Sequence, residues 1–171
     1  ESQAEDIQKY FINISENLDP RTVNLRISAV KFFYSAVLGK QLRINYMKKP
    51  KRLPDVLTQE EVNGMIEASA NPKHKLMLKM LYGCGLRVSE IRNLGKEDIR
   101  AEEGIMLVRQ GKGAKDRIVS LPSSIIKELQ PFLMQDFPFV FRSERGGKLH
   151  TRTLQQIVKN AAEKTGIRKR V

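Results

Sequence analysis

Twelve consecutive residues, Tyr46-Met47-Lys48-Lys49-Pro50-Lys51-Arg52-Leu53-Pro54-Asp55-Val56-Leu57, constrain this chain more than any other stretch. Proline lacks a backbone N–H and has a fixed φ, so Pro50 and Pro54 together exclude a helix or a central strand here. Four bases in the same stretch make it read as an extended basic linker, residues 49–57, between a domain at 1–48 and another at 58–171. A length of 171 residues suits two small domains. The 40% of hydrophobic residues can build a core, but aromatics are only 6% and there is no Trp. Leu, Ile, Val and Met must therefore fill it.

Charge narrows the function. Thirty-one Lys and Arg against nineteen acids leave a net charge of +12. Such a balance suits a polyanionic partner, nucleic acid or an anionic membrane surface, although a solvated basic surface has the same composition. The bases are concentrated: residues 20–57 hold nine (Arg21, Arg26, Lys31, Lys40, Arg43, Lys48, Lys49, Lys51, Arg52) against the single acid Asp55. Residues 1–19 hold five acids and only Lys9. No apolar run reaches the ~20 residues that a membrane span needs, so no span is expected, and no membrane partner is assigned. The single cysteine, Cys84, excludes a disulfide framework within the chain and fits a reducing cytoplasm.

The hydrophobic pattern predicts mostly helices. Ile7, Phe11 and Ile14 share a face over 5–16, and Asp19-Pro20 breaks the chain and starts the next helix. Over 20–38, Val23, Ile27, Val30, Tyr34 and Val37 form an apolar stripe, with Arg21, Arg26 and Lys31 off it. A helix with one buried face and one basic face can lie along a DNA backbone. Thr58 and Glu61 form a capping box ahead of Val62, Met65, Ile66 and Ser69, and Asn71-Pro72 is expected to end that helix. A second apolar helix runs through Leu76, Met77, Met80 and Leu81 to Gly83-Cys84-Gly85, and a short one covers 89–94. The β-rich runs 105–109 and 117–121 flank a glycine-rich hairpin tip with two lysines, Lys112 and Lys115. A helix over 123–135 is disturbed by Pro131, 139–142 is short and extended, and a final helix spans 151–165 before Gly166. The fold class expected is mainly α with a small antiparallel sheet, an α+β arrangement.

Several chemistries have no residues to support them. His74 and His150 lie far apart, there is no His-x-x-x-His or Cys-x-x-Cys, and no phosphate loop precedes a helix. No metal or other cofactor is expected. Cys84 has no nearby base and reads as a small buried hydrophobe, His74 as a surface residue, and Tyr34 and Tyr82 as core or half-buried. What remains is Gly85-Leu86-Arg87-Val88-Ser89-Glu90-Ile91. An arginine after a glycine turn, at a helix start, is placed to meet a phosphate, since the helix N-terminus adds partial positive charge and Arg adds a planar fork. A surface arginine, or one paired with Glu90, explains the same residues.

The series Thr58-Gln59-Glu60-Glu61-Val62, then Gly83-Cys84-Gly85-Leu86-Arg87-Val88-Ser89-Glu90-Ile91, Leu94, Asp98-Ile99 and Gly111-Lys112-Gly113-Ala114-Lys115-Asp116-Arg117 resembles the tyrosine recombinases, or phage integrases, with Xer-like members nearest. The order and spacing of these segments are more specific than any one of them. The likeness is good over 58–167 and extends into 5–40, which resembles later helices of the family's core-binding domain. It implies a catalytic domain at 58–171 and a partial core-binding domain at 1–48, the two clamping duplex DNA. It also implies site-specific strand cleavage and rejoining through a 3′-phosphotyrosine intermediate, without metal or ATP. Two arginines and a lysine stabilise the phosphorane, and the lysine serves as general acid to the leaving oxygen.

Carried onto this sequence, the resemblance makes Arg87 the first catalytic arginine, Lys112 the hairpin lysine and Glu90 the acid that orients Arg87, a helix-surface glutamate being the plainer alternative. Lys115 and Arg117 are expected on backbone phosphate, as are Arg21, Arg26, Lys31, Lys49, Lys51, Arg52 and Arg152. The family's His-x-x-Arg motif and nucleophilic tyrosine have no match: His150-Thr151-Arg152 has the wrong spacing, and Tyr10, Tyr34, Tyr46 and Tyr82 all lie upstream. His150 reads as a cap or surface residue. Both ends are expected to be trimmed, leaving these 171 residues inactive alone. Whole members act as tetramers on DNA, in the cytoplasm on the nucleoid; this chain is expected to tetramerise weakly or not at all. A non-catalytic duplex-DNA-binding protein that keeps the clamp, and an RNA-binding or ribosomal protein supported only by charge, stay open as alternatives.

Overall fold

Local capping chemistry sets where the helices begin. The computed structural model describes residues 2–48, 53, 55–109 and 116–169, the side chains from residue 5 onward, and divides the chain into units Glu1–Pro54 and Asp55–Val171. In the first unit, α1 (Ser2–Ser15) is followed by α2 (Pro20–Ala36). The Asp19 carboxylate accepts the Arg21 N–H at 2.8 Å, and Pro20 occupies the first turn, where a missing N–H costs nothing. Phe11, Val23, Ile27 and Ile44 make the core, with Ile7, Ile14 and Val30 packed against it. The expected stripe ends early: Tyr34 is half-buried, and Val37 lies past the helix end, 66% exposed.

Asn24 holds the following extended stretch onto α2. Its buried side-chain amide donates to the Met47 carbonyl at 2.9 Å, and its oxygen accepts the Met47 N–H at 2.7 Å. The irregular segment thus belongs to the first unit at least as far as Met47, with Ile44 in the core.

The second unit runs α3 (Gln59–Glu67), α4 (Pro72–Gly83), α5 (Val88–Asn93), a 3₁₀ turn (Lys96–Asp98), β1 (Ile99–Arg100), β2 (Ile105–Val108), β3 (Arg117–Ser120), α6 (Ser123–Leu133) and α7 (Thr151–Lys164). The strands form one antiparallel sheet in the order β1-β2-β3, with Val108 opposite Arg117 where β2 and β3 approach the hairpin tip. The observed class is the expected one, mainly α with a small antiparallel sheet. Leu76, Met77, Met80, Met106, Leu129 and Leu154 are among its fully buried side chains. No helix among the described residues is long and apolar enough to cross a membrane.

The Thr58–Glu61 capping box forms as expected, the Glu61 N–H donating to Thr58 Oγ1 at 3.2 Å and the Thr58 N–H to Glu61 Oε2 at 2.7 Å. Asn71-Pro72 does not end α3, which stops at Glu67. It starts α4, because the Asn71 side chain accepts the N–H groups of Lys73 and His74. Tyr82, on the last turn of α4, is 52% exposed rather than core or half-buried, while His74 is half-buried rather than a surface residue. Pro131 sits on the exposed side of the last turn of α6, and the helix continues to Leu133. Residues 139–142 contribute isolated bridges, Gly95 to Phe139 and Arg142 to Lys148. His150 caps α7, its Nδ1 accepting the Arg152 N–H at 3.1 Å.

Removing the Asn24 amide would leave both Met47 backbone groups without their partner. Asn24→Ala is expected to destabilise the first unit by about 1–3 kcal/mol, measured by urea denaturation. A loss no larger than that of an exposed α2 substitution such as Ser35→Ala would overturn this role for Asn24.

Candidate active site and nucleic-acid interface

The turn from α4 into α5 builds the site. Gly85 has φ +60, a conformation that costs an L side chain strain, and it lets the chain reverse so that Arg87 becomes the residue capping α5. Arginine has no acceptor and cannot cap by its own side chain. Glu90, at the third helical position, reaches back instead, and its Oε2 accepts the Arg87 backbone N–H at 2.8 Å.

The same carboxylate collects three further bonds. Arg87 Nη1 donates to Oε1 at 2.7 Å. Arg117, the first residue of β3, donates through Nη1 to Oε1 and through Nη2 to Oε2, both at 2.8 Å. Two donors on each oxygen saturate a carboxylate. The Glu90 side chain is only 6% exposed, while that of Arg87 is 52% exposed. Arg117 in particular, then the Arg87 backbone and side chain, hold the Glu90 carboxyl down at about 2, against the burial that pushes it up. The Arg117 guanidinium rises above its ordinary value for the reciprocal reason. Arg117 Nη2 also reaches the Gly85 carbonyl at 3.4 Å.

A cleft of about 440 Å³ lies alongside, lined in part by Glu90, Ser89, Asn93, Asp98, Arg109 and Lys148. Asp98 is buried; its Oδ2 accepts the Gly95 N–H at 3.1 Å and its Oδ1 accepts Arg109 Nε at 2.5 Å. Arg109, exposed at the end of β2, is raised above the ordinary arginine value chiefly by that hydrogen bond. Burial pushes the Cys84 thiol up, away from nucleophile character.

The structure brings Arg87, Glu90 and Arg117 into one cluster, and Glu90 faces inward rather than lying on a helix surface. Arg117 has its guanidinium committed to Glu90 instead of standing free. Arg21 and Arg26 are exposed on α2, whereas Lys31 is half-buried with Nζ 4.6 Å from the centre of the Tyr46 ring. Residues five apart on a helix turn by about 140°, so these three bases do not line up in one row. Arg152 is exposed in the first turn of α7. Lys49, Lys51, Arg52, Lys112 and Lys115 lie outside the described residues. Sequence reasoning missed Asp98 and Arg109 as a pair; the available signal was a base on each stem of the glycine-rich hairpin.

Several known proteins resemble this chain in sequence and fold. The model of the "Phage integrase family" matches residues 55–171. A tyrosine recombinase XerA of Pyrococcus horikoshii is 34% identical over 173 aligned positions, covering 96% of this chain and 61% of its own length. A crystal structure of XerA recombinase superposes with a TM-score of 0.62 at 32% identity, over 98% of this chain and 64% of the other. A lambda integrase tetramer bound to a Holliday junction gives a TM-score of 0.75 over 95% of this chain and 53% of the other; at 17% identity this likeness is one of fold. The chain thus spans roughly three-fifths of the length of the XerA relatives it matches.

The depressed Glu90 carboxyl ties stability to pH. Folded, it is held at about 2, below its ordinary 4.5, so it binds a proton less readily than in the unfolded chain. Its stabilisation is complete above the unfolded value and is lost as pH falls from about 4.5 toward about 2. Glu90→Gln, which mimics the protonated form, is expected to be clearly less stable than the wild type at neutral pH and to converge with it in acid. Denaturant midpoints across that range measure this; a gap that stays constant with pH would exclude the charge as the cause.

Proposed function

Because the chain belongs to the phage integrase family and is a Xer-like tyrosine recombinase, we propose that it acts in site-specific recombination of duplex DNA, by strand cleavage and rejoining through a 3′-phosphotyrosine intermediate. The observation that carries this reading is the half-exposed Arg87 guanidinium at the start of α5, held in place by the saturated, buried Glu90 carboxylate. Among the described residues no acceptor besides Glu90 takes that guanidinium, which leaves donors for a phosphate oxygen. A fixed positive fork beside the scissile phosphate stabilises charge that grows in the transition state, and it needs no reorganisation to do so.

In this reading residues 1–48 form a helical DNA-binding domain, 49–57 a basic linker and 58–171 the catalytic domain. The tyrosine hydroxyl attacks phosphorus and releases its proton to solvent, the bond to the 5′ oxygen breaks, and the Lys112 ammonium delivers the proton that the leaving oxygen needs. Arg21, Arg26, Lys31, Lys49, Lys51, Arg52, Lys115 and Arg152 neutralise phosphates away from the chemistry. The whole protein assembles as a tetramer on DNA in the cytoplasm, on the nucleoid, a state in keeping with the tetrameric lambda integrase complex. In this reading none of Tyr10, Tyr34, Tyr46 and Tyr82 is the nucleophile, and cleavage is to be assayed on the native protein.

Arg87→Ala and Lys112→Ala are expected to slow single-turnover cleavage of a nicked duplex by about 10²-fold or more while leaving DNA affinity nearly unchanged. Equal losses of binding and cleavage would reduce both residues to phosphate contacts. Tight binding with no covalent adduct would favour the non-catalytic DNA-binding alternative. Affinity for duplex DNA is further expected to fall steeply with salt, since each neutralised phosphate releases counterions. A flat salt response, or preference for structured RNA in competition, would sink the DNA reading.

A further inference from the structure

The turn between the buried residues Phe141 and Leu149 carries three exposed bases, Arg142, Arg145 and Lys148. Among the described residues none of the three pairs with a carboxylate, because the one acid of the turn, Glu144, lies 3.8 Å from Lys73 instead. The turn is held by its own backbone. Arg142 and Lys148 face each other in an antiparallel bridge, and the Ser143 N–H donates to the Gly147 carbonyl and the Gly146 N–H to the Ser143 carbonyl, both at 3.0 Å. Gly146 and Gly147, at φ +82 and +73, take the left-handed conformations that so tight a reversal needs. Two rings support the charges: the Arg142 guanidinium carbon is 5.7 Å from the centre of Phe137 and Lys148 Nζ 4.0 Å from the centre of Phe139, the two rings being 5.8 Å apart. A ring face attracts a cation without filling its N–H donors as a carboxylate does, so the donors stay open to an anion.

This turn is fastened to the helix that begins at Arg87. Arg92 of α5 donates through Nε to the Leu149 carbonyl at 2.9 Å, and the Val140 N–H donates to the Leu94 carbonyl at 2.9 Å. Lys148 lines the same cleft as Ser89 and Glu90, so the turn and the Arg87–Glu90 cluster border one cleft.

We infer that the turn Arg142–Lys148 is a second phosphate-binding surface, which takes the backbone of duplex DNA next to the phosphate met by Arg87, through Lys148 at the cleft and Arg145 at the tip. This rests on the proposed action on duplex DNA. A duplex carries one charge per ~1.7 Å of its axis, so a backbone lying over the cleft brings phosphates to both of its borders. Lys148 is held over Phe139 beforehand and gives up less side-chain freedom on binding than a free surface lysine. Arg145 offers a planar fork that no acceptor among the described residues occupies. Neither residue reads a base in this arrangement, since contacts to phosphate fix position and carry no sequence information.

The test is the salt dependence of binding, measured on the native protein with a fluorescently labelled duplex of mixed sequence. Each phosphate contact contributes about 0.9 to the slope of log affinity against log salt. Arg145→Ala and Lys148→Ala are each expected to make that slope shallower by about this amount and to weaken binding by about tenfold at roughly 0.1 M salt, equally on duplexes of unrelated sequence. Lys148→Arg, which keeps the charge, is expected to retain the wild-type slope. Lys127→Ala removes one exposed charge on α6 and is expected to change slope and affinity far less. If the wild type shows the steep slope but the turn variants keep it, or lose no more than Lys127→Ala does, the turn is not a phosphate-binding surface and only this inference falls. A loss of affinity confined to structured RNA, with duplex binding intact, overturns it as well. If the wild type itself responds little to salt, the proposed action on duplex DNA fails, and this inference with it.

Discussion

The Glu90 carboxylate is the group on which the rest of the site depends. A buried charge is costly unless its hydrogen-bonding capacity is filled, and here four donors from two arginines and one backbone N–H fill it. The arrangement serves three purposes with one group. It caps α5, it takes a hydrogen bond from the Arg87 guanidinium, and it ties the start of β3 to that helix. Remove the negative charge and the two guanidinium groups would lose the anion that they share. The cluster of two cations and one anion keeps a net positive charge and leaves the Arg87 side chain paired yet half exposed.

That geometry needs a scaffold able to bury a glutamate near a helix start. Leu86, Ile91 and Leu94 are all buried on either side of it, so the backbone of α5 cannot shift to let water reach Glu90 without opening the core. Gly85 supplies the reversal that brings α5 back from the end of α4, in a conformation that glycine adopts without strain. Its carbonyl also receives Arg117, so the turn and the strand are joined directly as well as through Glu90. The sheet is small, but its antiparallel register places Val108 opposite Arg117. Arg117 reaches Glu90 from β3, and Arg109, next after the paired Val108, reaches Asp98.

The basic residues of this chain therefore divide by physics as well as by position. Arg21, Arg26 and Arg152 are exposed. Charges of that kind are screened by salt, and they suit attraction and orientation of a polyanion over discrimination between a ground and a transition state. Arg87, Arg109 and Arg117 are held by buried acids. They have already lost the side-chain freedom that a surface base would have to give up on binding, so their directions are set in advance. A net charge of +12 counts both groups alike, and only their partners distinguish them.

The sequence by itself determined much of the local structure: the Thr58–Glu61 box, the Asp19-Pro20 start, the break around Gly85, the hairpin stems and the helical class. These depend on contacts within a few residues, where spacing and residue type are sufficient. Where a single residue could serve either of two neighbours, local reading failed: Asn71-Pro72 starts α4 instead of ending α3, and Tyr82 points outward. Motif spacing marked Arg87 and Glu90 as candidates but left Glu90 free to be a surface residue, and it placed Arg117 among the phosphate contacts. Only the tertiary structure decided that Glu90 is buried, that Arg117 is 27 positions away in sequence yet bonded to it twice, and that Asp98 holds Arg109. Which acid meets which base depends on how the sheet packs against α5, and no periodicity in the chain records that. An ion pair's role is set by its burial and its partners, and both exist only once distant segments have been brought together.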